Sequence, residues 1–153
     1  MSELGRVATQ FGVRPGSPDD QTNVLQRAIN DAAKAKVPLA LAPGVYRTRA
    51  LTLPDNAQLI GVRGATRLEF GGGPSLFAGM GAANVSLTGL TLDGSLIGLP
   101  ARRGLIHCER SRELRIVGCE LINSGGAGIW FEQVSGEVQG NIHATSRVEL
   151  LET

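Results

Sequence analysis

The sequence is poor in aromatic residues, poor in cysteine, and nearly without net charge. Phe, Trp and Tyr make up 4 % of its 153 residues, with one Trp and one Tyr among them. A core with so few large rings has to be assembled from Val, Leu, Ile and Ala. The 2 cysteines, Cys108 and Cys119, are too few for a disulfide framework and read as small buried thiols. Lys and Arg number 15 against 14 Asp and Glu. That balance argues against a nucleic-acid partner, which needs clustered positive charge, and equally against a polybasic membrane anchor. No apolar run approaches the roughly 18 residues of a spanning helix. Met1 to Gln10 carries no apolar stretch of the kind an export signal needs.

Glycine is what the chain has in quantity, at 21 residues. Without low complexity, that many glycines imply many tight turns between short strands. The length is that of about one domain with one core.

One helix is expected, from about Asp20 to Lys36. Ser17, Pro18, Asp19 and Asp20 supply the cap, proline and acidic charge that favour a helix start. Val24, Leu25, Ala28, Ile29 and Ala32 then form a single apolar stripe at helical spacing. From Pro38 onward short apolar segments alternate with Gly, Asn and Asp, and no second stripe follows.

Those segments repeat. Ala57-Gln58-Leu59-Ile60-Gly61 returns as Val85-Ser86-Leu87-Thr88-Gly89, as Leu114-Arg115-Ile116-Val117-Gly118, and more loosely as Gly136-Glu137-Val138-Gln139-Gly140. The closing glycines stand 28, 29 and 22 residues apart. A second phrase, Gly104-Leu105-Ile106, returns 24 residues later as Gly128-Ile129-Trp130. Periods of this size belong to solenoids. Within a phrase the apolar positions alternate, as in Val85, Leu87, Leu90 and Leu92, so each phrase is strand with one side inward. A leucine-rich repeat has a similar period, but its dense leucine frame and helical segments are absent. The expected fold is all-β: a single-stranded parallel β-helix of about 3–4 coils with an N-terminal amphipathic capping helix. The expected divisions are a cap over 1–50, coils over 51–141, and an irregular, truncated or frame-shifted tail over 142–153. After Gly140 the inward positions fall on Asn141 and His143, a poor core pair, so self-association through an uncapped last coil is expected.

Phe11 to Thr48, FGVRPGSPDDQTNVLQRAINDAAKAKVPLALAPGVYRT, resembles the N-terminal cap of the pectate-lyase-like, or pectin-lyase-fold, right-handed β-helix proteins. In that pattern an Asp-Asp lead starts a Leu-Gln-x-Ala-Ile helix, and a strand ends in Pro-Pro-Gly-x-Tyr; here Ala42 replaces the first proline. Leu53 to Gly64 resembles the family's first coil, and the nearest subgroup is the uncharacterised twin-arginine-translocated repeat proteins of proteobacteria. The resemblance implies export, to the periplasm or beyond, and a polysaccharide partner. It is poor in information about activity, because the same cap stands on lyases, hydrolases and phage tailspikes.

Calcium-dependent lyases of this fold gather Asp and Glu around the ion, and hydrolases use carboxylate pairs. Neither pattern is legible, so no catalytic residue, metal ligand or cofactor is expected. Asp93, in an Asp-Gly turn, meets only Ile122 or Asn123 at the matching position one coil on. Arg102 and Arg103 lie in the longest excursion between strands, near Arg110, Arg112 and Arg115, with Glu109 and Glu113 as available partners. Arginines in this number suit the carboxylate of an acidic sugar or, more plainly, a solvated loop. His107 is expected to point outward by alternation, and beside Cys108 alone it is too sparse for zinc. Either Trp130 or Phe131 must face the core, and an outward Trp130 would suit a sugar ring. Arg102, Arg103, His107 and Trp130 are therefore the candidate substrate-binding residues. Three functions remain: a polysaccharide-binding β-helix, a lyase or hydrolase with catalytic coils beyond this chain, or a structural or truncated solenoid.

Overall fold

The computed structural model describes residues 5–139 and 148–151. Its single α-helix, α1 (Thr22–Ala35), starts where Asp20 Oδ1 accepts the Thr22 backbone N–H at 2.8 Å. Leu25, Ala28, Ile29, Ala32 and Ala33 are buried along one stripe, as the spacing predicts. Lys36 ends the helix in a left-handed conformation, φ 58°, its N–H bonded to the Ala32 and Ala33 carbonyls. Before the helix come strand β1 (Arg6–Val7) and a 3-10 turn, Ala8–Phe11. After it comes β2 (Leu39–Ala40), paired in parallel with β1.

Three strands then make each coil. The first coil is β3 (Gly44–Thr48), β4 (Leu51–Thr52) and β5 (Gln58–Ile60). The second is β6 (Thr66–Phe70), β7 (Phe77–Met80) and β8 (Ala83–Thr88). The third is β9 (Thr91–Asp93), β10 (Gly104–Glu109) and β11 (Arg112–Val117). The fourth is β12 (Glu120–Ile122), β13 (Ala127–Glu132) and β14 (Gly136–Gln139), and β15 (Val148–Leu151) adds to one sheet. Like strands stack coil on coil into three parallel sheets, ordered β1-β2-β5-β8-β11-β14, β3-β6-β9-β12 and β4-β7-β10-β13-β15.

The inward positions form continuous apolar columns. Leu59, Leu87 and Ile116 stack in the first sheet, Leu68, Leu92 and Leu121 in the second, and Phe77, Ile106 and Ile129 in the third. All of them belong to one buried cluster, and each such side chain adds about 1.5–3 kcal/mol by leaving water. The helix α1 packs on β2, β4 and β5 and so covers the first coil. That bears out the capping helix, which shields an open apolar end. Tyr46 sits in the second sheet's column and donates its hydroxyl to the Ala42 carbonyl at 2.6 Å.

In the first sheet the register is that of the glycine phrases: 28 residues from Leu59 to Leu87, 29 to Ile116 and 22 to Val138. In the third sheet it is not. Gly104 pairs with Ala127, so the step is 23 residues rather than 24. The coil pattern already begins with β3 at Gly44. Of the tail over 142–153, only Val148–Leu151 are described, as a strand pairing Ile129 with Val148. Asn141 and His143 lie outside the described residues.

Candidate functional site

The chain's longest excursion between coil strands, 94–103, runs beside the 123–126 turn that leads into β13. Leu96 N–H donates to the Asn123 carbonyl at 2.9 Å, and Gly98 bridges to Gly125. Ile97 and Leu99 pack against the core, and Arg103 donates to the Pro74 carbonyl at 3.3 Å. Ser95, Leu96 and Arg102 all hold left-handed backbone conformations, although none of the three is glycine. The result lays the Arg102 guanidinium over the Trp130 ring, 5.5 Å from its centroid.

The 23-residue register decides what lies beneath. Ile106 pairs with Ile129 and Cys108 with Phe131, and these four face the core. His107 and Trp130 therefore share the outward face, directly opposite each other. His107 faces outward as expected, yet it is only 1 % exposed. Trp130 is 7 % exposed outside the core cluster, while Phe131 lies within it. The Trp130 Nε1 and His107 Nδ1 atoms are buried with no partner among the described residues.

Two residues on, Glu109 and Glu132 pair in the same register. His107 Nε2 donates to Glu109 Oε2 at 2.6 Å, and Arg102 contacts Glu132 Oε1 at 3.1 Å. One donor atom each from His107, Glu109 and Glu132 lies within 4.8 Å of the other two. The His107 hydrogen bond holds the Glu109 carboxyl below its usual range; burial opposes this, and the charges of His107, Arg103 and Arg110 assist. Arg102, His107 and Trp130 thus come together, with Arg103 at the edge. The carboxylate pair escaped sequence reasoning because a 24-residue step would set Glu109 against Gln133. A pairing of Glu109 with Glu132 was the available signal.

Asp93 stands at the turn that the Asp-Gly pair predicts, with its carboxylate buried. It is 5 % exposed, ion-paired with Arg67, and accepts from Asn123 Nδ2 at 3.1 Å and Ser95 N–H at 2.8 Å. Burial, the largest influence, pushes its carboxyl up, but the Ser95, Asn123 and Arg67 donors outweigh it and hold it low. The matching position one coil on is Ile122, one of the two that the sequence leaves open. Asp93 ties the start of the loop to two coils and belongs to the scaffold.

Two surface depressions flank the cluster. One of about 300 Å³ is lined by Glu109, Arg110, Glu132 and Gln133. The other, of about 580 Å³, rounds the corner past Arg110, Gln133 and Arg112 to Asp55. They meet at Arg110 and Gln133, which makes one groove across neighbouring coils. Arg115 points elsewhere and pairs with Glu137 at 2.7 Å. Arg110 and Arg112 have no carboxylate within 4 Å among the described residues.

No family profile and no curated protein sequence matches the chain. Solved structures do. A protein provisionally named a glycosyl hydrolase from Parabacteroides merdae superposes with a TM-score of 0.77 at 16 % identity, over 95 % of this chain and 79 % of that one. The A-module of the Azotobacter vinelandii mannuronan C-5 epimerase AlgE6 gives 0.76 at 23 %, over 89 % and 43 %. PfbA, a surface adhesin of Streptococcus pneumoniae, gives 0.74 at 15 %, over 90 % and 38 %. The fold shared with these structures is the parallel β-helix. These identities establish the β-helix and nothing of its ligand. The chain spans about four fifths of the first of these proteins and less than half of the other two. In this β-helix the His107–Glu132 cluster occupies the outer face of the third and fourth coils. No helix among the described residues is long and apolar enough to cross a membrane.

Proposed function

We propose that this β-helix segment binds an acidic polysaccharide along the groove from Glu109 and Glu132 to Arg112. The observation that carries the reading is the pair Arg110 and Arg112, lining the groove with no ion pair to a carboxylate among the described residues. A guanidinium presents two parallel donors that match a uronate carboxylate. Neighbouring coils repeat the strand spacing of about 4.8 Å, so a groove crossing them suits an extended chain better than a compact ligand. Arg102 and Trp130 extend the surface, with the indole ring as a stacking face once Arg102 moves aside. Such polysaccharides lie outside the cell, so the reading also implies export. Resemblance to a glycosyl hydrolase and an adhesin is compatible with it.

Hydrolysis is the second reading, and the Glu109–Glu132 pair is what favours it. Retaining glycosidases set their carboxyl groups about 5 Å apart. The general acid of such a pair must stay protonated near neutral pH, whereas Glu109 is held low and Glu132 is ion-paired. Binding therefore fits these carboxylates better than acid catalysis. A glycan array carrying acidic and neutral polysaccharides, with reducing ends followed in parallel, separates the readings. Retention of acidic glycans without cleavage supports binding; new reducing ends would establish hydrolysis, and indifference to acidic glycans would remove the binding proposal.

A further inference from the structure

We propose that His107, Glu109 and Glu132 form a site for a first-row divalent transition metal of the zinc class. The three donor atoms already lie within 4.8 Å of one another. Tetrahedral ligands about 2.1 Å from an ion stand roughly 3.4 Å apart, so small side-chain rotations close the set. The backbone does not have to move. His107 and Glu109 are two apart on β10 and share a face, and Glu132 is Glu109's ladder partner on β13.

A second observation points to a ligand. His107 is almost wholly buried, presents Nε2 to the carboxylates and leaves Nδ1 without a partner among the described residues. An ion on Nε2 would leave the proton on Nδ1, so it is the burial of the ring and its aim at the carboxylates, and not the orphan nitrogen, that point to a ligand. One imidazole with two carboxylates suits zinc, manganese or iron rather than calcium, which takes oxygen donors alone. Three protein ligands leave a position for water or a substrate oxygen. Cys108 takes no part: it faces the core, and burial pushes its thiol up to about 12.

Arg102 occupies this site as the resident cation. It pairs with Glu132 and covers Trp130, while Arg103 and Arg110 add positive charge beside Glu109. A metal ion reaching Glu132 displaces the guanidinium and uncovers the only tryptophan in the chain. The two events share one readout.

The experiment titrates the full chain with zinc chloride, and separately with calcium chloride, by calorimetry and tryptophan fluorescence. Zinc binds saturably at one equivalent and changes Trp130 emission; calcium does neither. Glu109→Gln and Glu132→Gln each weaken zinc binding by about tenfold or more. Arg102→Ala tightens it about two- to fivefold, the worth of one partly exposed ion pair. Both glutamates are partly exposed, so these variants keep the fold, which circular dichroism checks. Absence of saturable zinc binding, or equal affinity in the wild type and both glutamine variants, overturns the site. Neither result depends on a saccharide.

Discussion

Glu109 and Glu132 stand opposite each other on β10 and β13, one coil apart, each held by a different cationic or imidazole partner. The first partner, His107, lies on the same strand; the second, Arg102, arrives from the 94–103 loop. The loop is therefore part of the site's electrostatics.

That loop has a weak point at Gly125. A Cβ there collides with the Ile97 carbonyl oxygen and the Gly98 backbone. Gly125→Ala is expected to push the loop outward and cost about 1–3 kcal/mol. Trp130 should then emit at longer wavelength and become accessible to iodide quenching, while far-ultraviolet circular dichroism stays that of the wild type.

The Arg67–Asp93–Asn123 ladder predicts acid sensitivity of a definite sign. Asp93's carboxyl is held below its usual range in the folded state. Its contribution is thus present above the unfolded value of about 3.9 and is lost as pH falls through the lower folded value. Asp93→Asn should cost about 2 kcal/mol at pH 7. Urea midpoints of the two proteins should converge as the pH drops below about 4.

Removing Leu25, the wholly buried anchor of the capping helix, tests the lid. Leu25→Ala should cost about 2–5 kcal/mol. It should also raise aggregation, measured by light scattering, because the first coil's strand edges and core lose their cover.

Both cysteines are buried, and burial raises both thiols, Cys108 to about 12. Neither should react with a disulfide reagent at pH 8 in the native state. Both should react once the protein is unfolded in guanidinium. Fast reaction of either in the native protein would mean that the coil opens there.

The sequence was legible wherever backbone geometry leaves a residue signature. In the first sheet each coil ends at a glycine, and Gly89 and Gly118 are left-handed, φ 69° and 64°. A Cβ on Gly61 would meet the Gly89 carbonyl at 2.9 Å. Such crowding fixes glycine in place, so the phrase itself carries the register. In the third sheet the loops before each strand differ in length, and Gly128 pairs with no glycine. Leu105 stands opposite it by register, so aligning Gly104 with Gly128 slipped the phrase by one residue. A slip of one exchanges the two faces of a strand. That left Trp130's side undecided and hid the Glu109–Glu132 pair. The placing of Arg102 over Trp130 was invisible for another reason: it depends on a loop whose path includes left-handed Ser95, Leu96 and Arg102, none a residue that announces that conformation.

Calorimetric titration of the full chain with a defined oligouronate, beside the neutral oligosaccharide of equal length, tests the central claim most directly. The account predicts saturable binding of the oligouronate alone, weakened about tenfold or more in an Arg110→Ala, Arg112→Ala double variant that stays folded, and weakened further by salt. Equal binding of acidic and neutral sugars, or an unchanged affinity in the double variant, would contradict it.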